Sequence, residues 1–163
     1  MSKVLIGYVT KTGSTREVAQ RINEILTNKG HTVEIRQLDE VKDFKGFDSI
    51  IIGAPINGMN WRQDAYEFVN THKAELSNVK VAYFALGIMA YQGRKLWNKT
   101  VNKALVKPSS IVEPIDTAVF GGVSGDVMPA PVRFIFGIPK DSKADQRDWT
   151  KIEEWADGLC SKL

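Results

Sequence analysis

The chain has one cysteine, two histidines and no long apolar run, and each shortage removes a class of protein. Cys160 stands alone near the C-terminus, so an intramolecular disulfide is excluded and a reducing compartment is compatible. His31 and His72 are far from each other, and no spacing of histidine, cysteine and carboxylate suggests a metal site. No set of nucleophile, base and acid stands out either. No stretch approaches the roughly 20 apolar residues of a membrane helix, and the N-terminus lacks a basic-then-apolar leader. The protein is therefore expected to have no transmembrane segment and to be cytoplasmic. Neither G-x-x-x-x-G-K-[ST] nor G-x-G-x-x-G occurs, which counts against nucleoside triphosphates and dinucleotides.

What is present is ordinary in amount and specific in arrangement. A length of 163 residues with 43% hydrophobic and 25% charged residues suits a globular domain, and no repeat, low-complexity tract or linker divides residues 1–163. A single domain is expected. The formal net charge is +3, with lysines scattered rather than run together, which argues against a nucleic-acid surface.

The most informative stretch is Val4 to Val9 running into Thr10-Lys11-Thr12-Gly13-Ser14-Thr15. A β-branched apolar run stops at hydroxyl residues around one glycine, and a helical pattern begins at Arg16, which reads as strand, turn, helix. The first amides of a helix have no intrahelical partner, and the helix dipole places partial positive charge beside them. A phosphate can be held there without a cationic side chain. Gly13 lets the backbone close around such an anion, and Thr10, Thr12, Ser14 and Thr15 supply donors. The plainer alternative is that one hydroxyl merely caps the helix.

Further along, His31 to Arg36 alternates as a half-exposed strand, Phe47 to Gly53 reads as a strand buried on both faces, and Lys80 to Leu86 and Thr117 to Phe120 read as two more. Helical patterns lie between them at 64–76 and 94–106, and a last one runs from Trp149 to Leu163. Alternation of this kind predicts an α/β protein with a parallel sheet covered on both faces. The connection from Gly121 to Pro139 is longer than the usual 2 to 6 residues of about that kind of loop, and is apolar at Phe134-Ile135-Phe136. Those three either fold back onto the sheet edge or form a contact surface.

Thr10 to Thr15 matches the T-x-T-G-x-T phosphate loop of flavodoxins, in its expected place after the first strand, and the chain as a whole resembles the flavodoxin superfamily. The resemblance implies a flavodoxin-like three-layer sandwich around a five-stranded parallel sheet of order 2-1-3-4-5, an order of which flavodoxin is itself a type example. It implies FMN as cofactor, with the phosphate on Thr10, Lys11, Thr12, Gly13, Ser14 and Thr15. The flavin ring would lie across the loops after the third and fourth strands, at Pro55, Ile56, Asn57, Gly58, Met59 and Trp61, and at Leu86, Gly87, Tyr91 and Gly93. Asn57 stands where flavodoxins often carry a stacking Trp or Met, so Ile56, Met59 or Trp61 would have to cover that face, with Tyr91 on the other. Gly58 matches a glycine whose peptide turns over in some flavodoxins to accept a hydrogen bond from the reduced ring.

Within the superfamily the chain most resembles a branch that contains menaquinone-dependent protoporphyrinogen IX dehydrogenase, through Ile52-Gly53-Ala54-Pro55-Ile56, Glu67-Phe68-Val69, the long connection after the fifth strand, and Asp148 to Ala156. Two functions follow from these resemblances. One is an electron carrier that cycles FMN between redox partner proteins; the other is an FMN-dependent oxidoreductase with a quinone acceptor.

Overall fold

The computed structural model describes residues 1–87, 95–123, 130–136 and 145–163. Its strands are β1 (Lys3–Tyr8), β2 (Thr32–Gln37), β3 (Ser49–Asn57), β4 (Asn60–Trp61), β5 (Lys80–Gly87) and β6 (Asp116–Gly121). Its helices are α1 (Ser14–Asn28), α2 (Gln63–Thr71), α3 (Lys73–Leu76), α4 (Lys95–Asn102), α5 (Val106–Ile111), α6 (Ala130–Phe136) and α7 (Trp149–Cys160).

The sheet runs β2-β1-β3-β5-β6, every one of those pairs parallel. Counting only these five strands, the order is the expected 2-1-3-4-5. The extra strand, β4, is two residues long and folds back antiparallel on the end of β3. Side chains alternate across each strand, so one sequence feeds two cores. Leu5, Ile50, Ile52 and Tyr83 face one side, where Ala65 and Val69 of α2 and Leu105 meet them. Val4, Ile6, Ile51 and Phe84 face the other, against Val18 and Ile22 of α1 and Ile152 and Ala156 of α7. The result is helix, sheet, helix, with the carboxyl ends of β1, β3 and β5 side by side at one edge.

Three boundaries depart from the sequence pattern. The expected helix at 64–76 is interrupted at His72, whose ring sits against Phe44 at 5.2 Å and Phe68 at 4.6 Å. The one at 94–106 continues to Ile111 through a 3₁₀ turn at Lys103–Leu105, because Pro108 has no N–H to return to the preceding turn. Within the long connection after β6, residues 130–136 form α6. Its Phe134 and Ile135 are 83% and 60% exposed, so these two side chains do not fold back onto the sheet edge.

Candidate functional site

Val9 donates its N–H to the carbonyl of Gly53 at 2.9 Å, which anchors the turn after β1 beside the end of β3. The Thr10 hydroxyl then accepts from the N–H of Gly13 at 2.9 Å and closes the turn. Gly13 immediately precedes α1, in the left-handed region at φ +92°, where a side chain would strain the backbone. No side chain caps α1. Thr12 and Ser14 share a hydrogen bond of 3.3 Å with each other, so neither hydroxyl serves as the cap.

Thr15 carries the sharpest signal in this turn. It is 0% exposed, and its hydroxyl oxygen has no hydrogen-bond partner among the described residues. A buried hydroxyl without a partner costs about 1–3 kcal/mol, and native structures seldom leave one unanswered. An uncapped helix start, a left-handed glycine and an orphan hydroxyl together suit an anion with several acceptor oxygens. Lys11 is exposed at the rim of the same turn.

The neighbouring end of β3 is a hairpin rather than an open loop. Ile56 pairs with Trp61 and Asn57 with Asn60, and Gly58 and Met59 turn the chain at φ +56° and +68°. Two successive positive φ values are the geometry of a type I′ turn, whose twist matches the flanking strands. Asn60 donates its side-chain N–H to the Gly58 carbonyl at 3.2 Å and steadies the turn. Asn57, Gly58 and Met59 are exposed at this tip, while Pro55 and Ile56 are half-buried behind it. The carbonyl of Pro55 is taken by the N–H of Arg62 at 3.0 Å.

Two residues expected at the ring have buried side chains. Trp61 is 3% exposed, its indole N–H donates to the Phe84 carbonyl at 3.2 Å, and its ring lies 5.4 Å from that of Tyr83. The hairpin turns it inward, and it packs as a core residue. Leu86 also points into the core, with Phe84 and Phe120 on the side of α1 and α7, which leaves only its backbone at the sheet edge. Gly87 does reach the edge, beside Gly121 on β6, and a Cβ there would stand 3.0 Å from Ile56 and 3.2 Å from Val101. Tyr91 and Gly93 lie outside the described residues. The structure thus brings together Thr10–Thr15, Pro55–Met59 and Gly87.

One participant gave no sign in the sequence. Arg147 reaches the first turn of α1, where it donates to Glu17 at 2.5 Å and to Asp145 at 2.6 Å with its plane 4.7 Å above Trp149. The hydrogen bond to Asp145 raises the guanidinium pKa further and holds the Asp145 carboxyl below its usual range. Nothing local links positions so far apart in the chain.

A family model described as the flavodoxin domain matches residues 5–149. The chain belongs to the flavodoxin family. Among curated relatives it is 25% identical over 95 residues to protoporphyrinogen IX dehydrogenase [quinone] of Escherichia coli strain K12, an alignment that covers 57% of this chain and 52% of that protein. The chain therefore spans about half the length of the curated relatives it matches. Among solved structures, a short-chain flavodoxin associated with a PDU bacterial microcompartment superposes with a TM-score of 0.66 at 17% identity, covering 99% of both chains. A flavoprotein from Lactobacillus acidophilus NCFM, solved in complex with FMN, superposes with a TM-score of 0.56 at 16% identity, covering 73% of this chain and 93% of that one. Such identities establish a shared flavodoxin-like fold. Among the described residues no helix is long and apolar enough to cross a membrane, and no group of His, Cys, Asp and Glu could hold a metal ion.

Proposed function

We propose that this flavodoxin binds FMN through the Thr10–Thr15 turn and carries electrons between redox partner proteins in the cytoplasm. The observation that carries the reading is the uncapped start of α1 with the unpartnered Thr15 hydroxyl behind it. Bound FMN would supply the electron chemistry, and the protein would set its affinity and surroundings.

The chain's own residues divide that work. Thr10 holds Gly13 in place, so the α1 amides are presented before the phosphate arrives. Thr12, Ser14 and Thr15 offer hydroxyl donors, and Lys11 adds charge at the rim. The Asn57–Asn60 hairpin presents exposed Asn57 and Met59 side chains and an exposed Gly58 whose carbonyl is held by Asn60. In this reading those groups and Gly87 border the flavin ring, with Tyr91 and Gly93 as the further contacts the family resemblance proposes.

A second reading, an FMN-dependent oxidoreductase with a quinone acceptor, draws on the exposed Phe134 and Ile135 and on the match to the quinone-linked dehydrogenase. Flat apolar substrates are held by such surfaces. Titration of the apo-protein with FMN and with riboflavin tests the shared part: FMN is expected to bind at one equivalent, and riboflavin about tenfold or more weakly, since it lacks the phosphate. Equal affinities would remove the phosphate assignment. Anaerobically reduced protein mixed with a menaquinone analogue then separates the two readings, because the carrier is expected to reoxidise slowly without a partner protein and the oxidoreductase rapidly.

A further inference from the structure

From Leu76 to Val112 the sequence contains no aspartate or glutamate, while Lys80, Arg94, Lys95, Lys99, Lys103 and Lys107 all fall within it. Four of these recur every fourth residue, which reads as scatter along the chain. Folding gathers the last three. Between positions 99 and 110 the exposed residues are Lys99, Asn102, Lys103, Val106, Lys107 and Ser110, and Val101, Ala104, Leu105 and Pro108 are buried beneath them. That is spacing i, i+3, i+4, i+7, i+8 and i+11, one continuous face of the α4–α5 run.

Elsewhere several basic side chains are matched. Lys3 faces Glu34, Lys29 faces Asp157, Lys162 faces Asp116, and Arg21 faces Glu24 and Glu153. No ion pair reaches Lys99, Lys103 or Lys107 among the described residues. The carboxylates bordering the run are Glu113, beyond its end, and Asp116, already held by Lys162 at 2.5 Å. Val106, 60% exposed, sits in the middle of the row. An apolar centre with unmatched charges of one sign around it has the composition of an interface rather than of a solvated face.

Its position gives the row a use. Lys107 and Ser110 form one wall of a cleft of about 480 Å³, whose other wall is Asn57, Asn60 and Gln63 of the β3–β4 hairpin and the start of α2. No carboxylate is among its described lining residues. A partner seated on the row would therefore lie against the hairpin proposed to border the flavin ring. From Lys99 to Lys107 the row is about 12 Å long at ~1.5 Å per residue, which suits the small, transient contacts of electron-transfer encounters.

We propose that the Lys99–Lys103–Lys107 face with Val106 at its centre is the docking surface for an acidic electron-transfer protein. This rests on the electron-carrier reading above. Complementary charge would steer the partner and set its rate of arrival, and the neutral cleft beside the hairpin would leave the redox edge open to it.

The test uses an acidic plant-type [2Fe–2S] ferredoxin as probe, with binding to the whole protein measured by calorimetry in both the FMN-loaded and the FMN-free form. Wild type is expected to bind both forms, and to lose about tenfold or more in affinity when salt rises from about 20 to 200 mM. The triple variant K99E/K103E/K107E is expected to weaken ferredoxin binding at least tenfold while keeping wild-type FMN affinity, and K42E, in the connection between β2 and β3, to leave both unchanged. Unaltered ferredoxin affinity in the folded triple variant overturns the proposal. So does wild-type protein that ignores ferredoxin but binds phosphatidylglycerol vesicles through the same lysines, since the occupant is then a membrane. Failure to bind FMN with the ferredoxin contact intact counts against the cofactor assignment and not against this surface.

Discussion

Arg147 donates to Glu17 across the start of α1 at 2.5 Å, and so places a cation behind the one carboxylate in the first turn of that helix. An acidic group there favours the helix dipole but repels a bound phosphate. Arg147 lets both conditions coexist. Replacing it as R147Q is expected to lower FMN affinity about two- to fivefold, the size of a charge effect at a helix end. Adding E17Q in that background is expected to restore it, and FMN titrations of the single and double variants check the coupling. Equal affinity in all three proteins would remove the electrostatic account.

The same clamp makes a prediction about acid. Asp145 is hydrogen-bonded by the Arg147 guanidinium, which holds its pKa below the ordinary carboxylate value in the folded state. A depressed folded pKa stabilises above the unfolded value, about 3.9, and that contribution disappears as pH falls through the folded one. The 145–149 segment is therefore expected to stay attached to α1 at pH 5 and to loosen only below about pH 4. Carboxyl titration by NMR should place Asp145 below 3.9, and R147Q should return it upward.

Thr15 separates stability from binding. In T15V a methyl replaces a buried hydroxyl that has no partner among the described residues, so the apo-protein should be as stable as wild type or more so, by up to about 1 kcal/mol. FMN affinity should fall about tenfold or more, because a hydrogen bond to a charged group is lost. A thermal melt and a titration on the same sample give both numbers. A destabilised variant with unchanged affinity would mean that the hydroxyl serves the fold.

Trp61 should behave as core. W61F leaves the Phe84 carbonyl short of a donor and should cost about 1 kcal/mol in chemical denaturation. The absorption spectrum of bound flavin should not change, since the indole faces Tyr83 beneath the hairpin. A shifted flavin spectrum would show that the ring is within reach after all.

The hairpin tip should respond to backbone conformation alone. A Cβ on Gly58 would meet nothing within 4 Å, yet its φ of +56° disfavours any side chain, so G58A should destabilise by about 1 kcal/mol. Met59 already bears that strain at φ +68°. M59G relieves it while adding unfolded-state entropy, and should be neutral or raise stability by about 0.5 kcal/mol. Melting temperatures ranked G58A below wild type, and wild type at or below M59G, are the expected result.

Much of the molecule was legible because its determinants are local. The apolar runs at Val4 and Ile50, the glycine and hydroxyls at 10–15 and the spacing of Val18, Ile22 and Leu26 each specify an element within a dozen residues. Right-handed crossovers and two-sided burial then leave few sheet orders. For Trp61 the sequence is silent, because an aromatic in a loop looks the same whether it faces a ligand or the core. Only the pairing of Ile56 with Trp61 turns it inward. Residues 130–136 resemble a connection in sequence, because Pro129, Pro131 and a short apolar run give no helical period, and the helix there is seven residues long.

The sequence by itself determined the sheet, the glycine-and-hydroxyl turn before α1 and membership of the flavodoxin family, since backbone hydrogen bonding and side-chain periodicity act over a few residues. Tertiary structure decided which hydroxyl is left without a partner, that Arg147 backs Glu17, and that Lys99, Lys103 and Lys107 share one face. Those depend on which surfaces are buried against each other. Burial between distant segments is set by the whole sheet and its two helical layers, and no local pattern carries it.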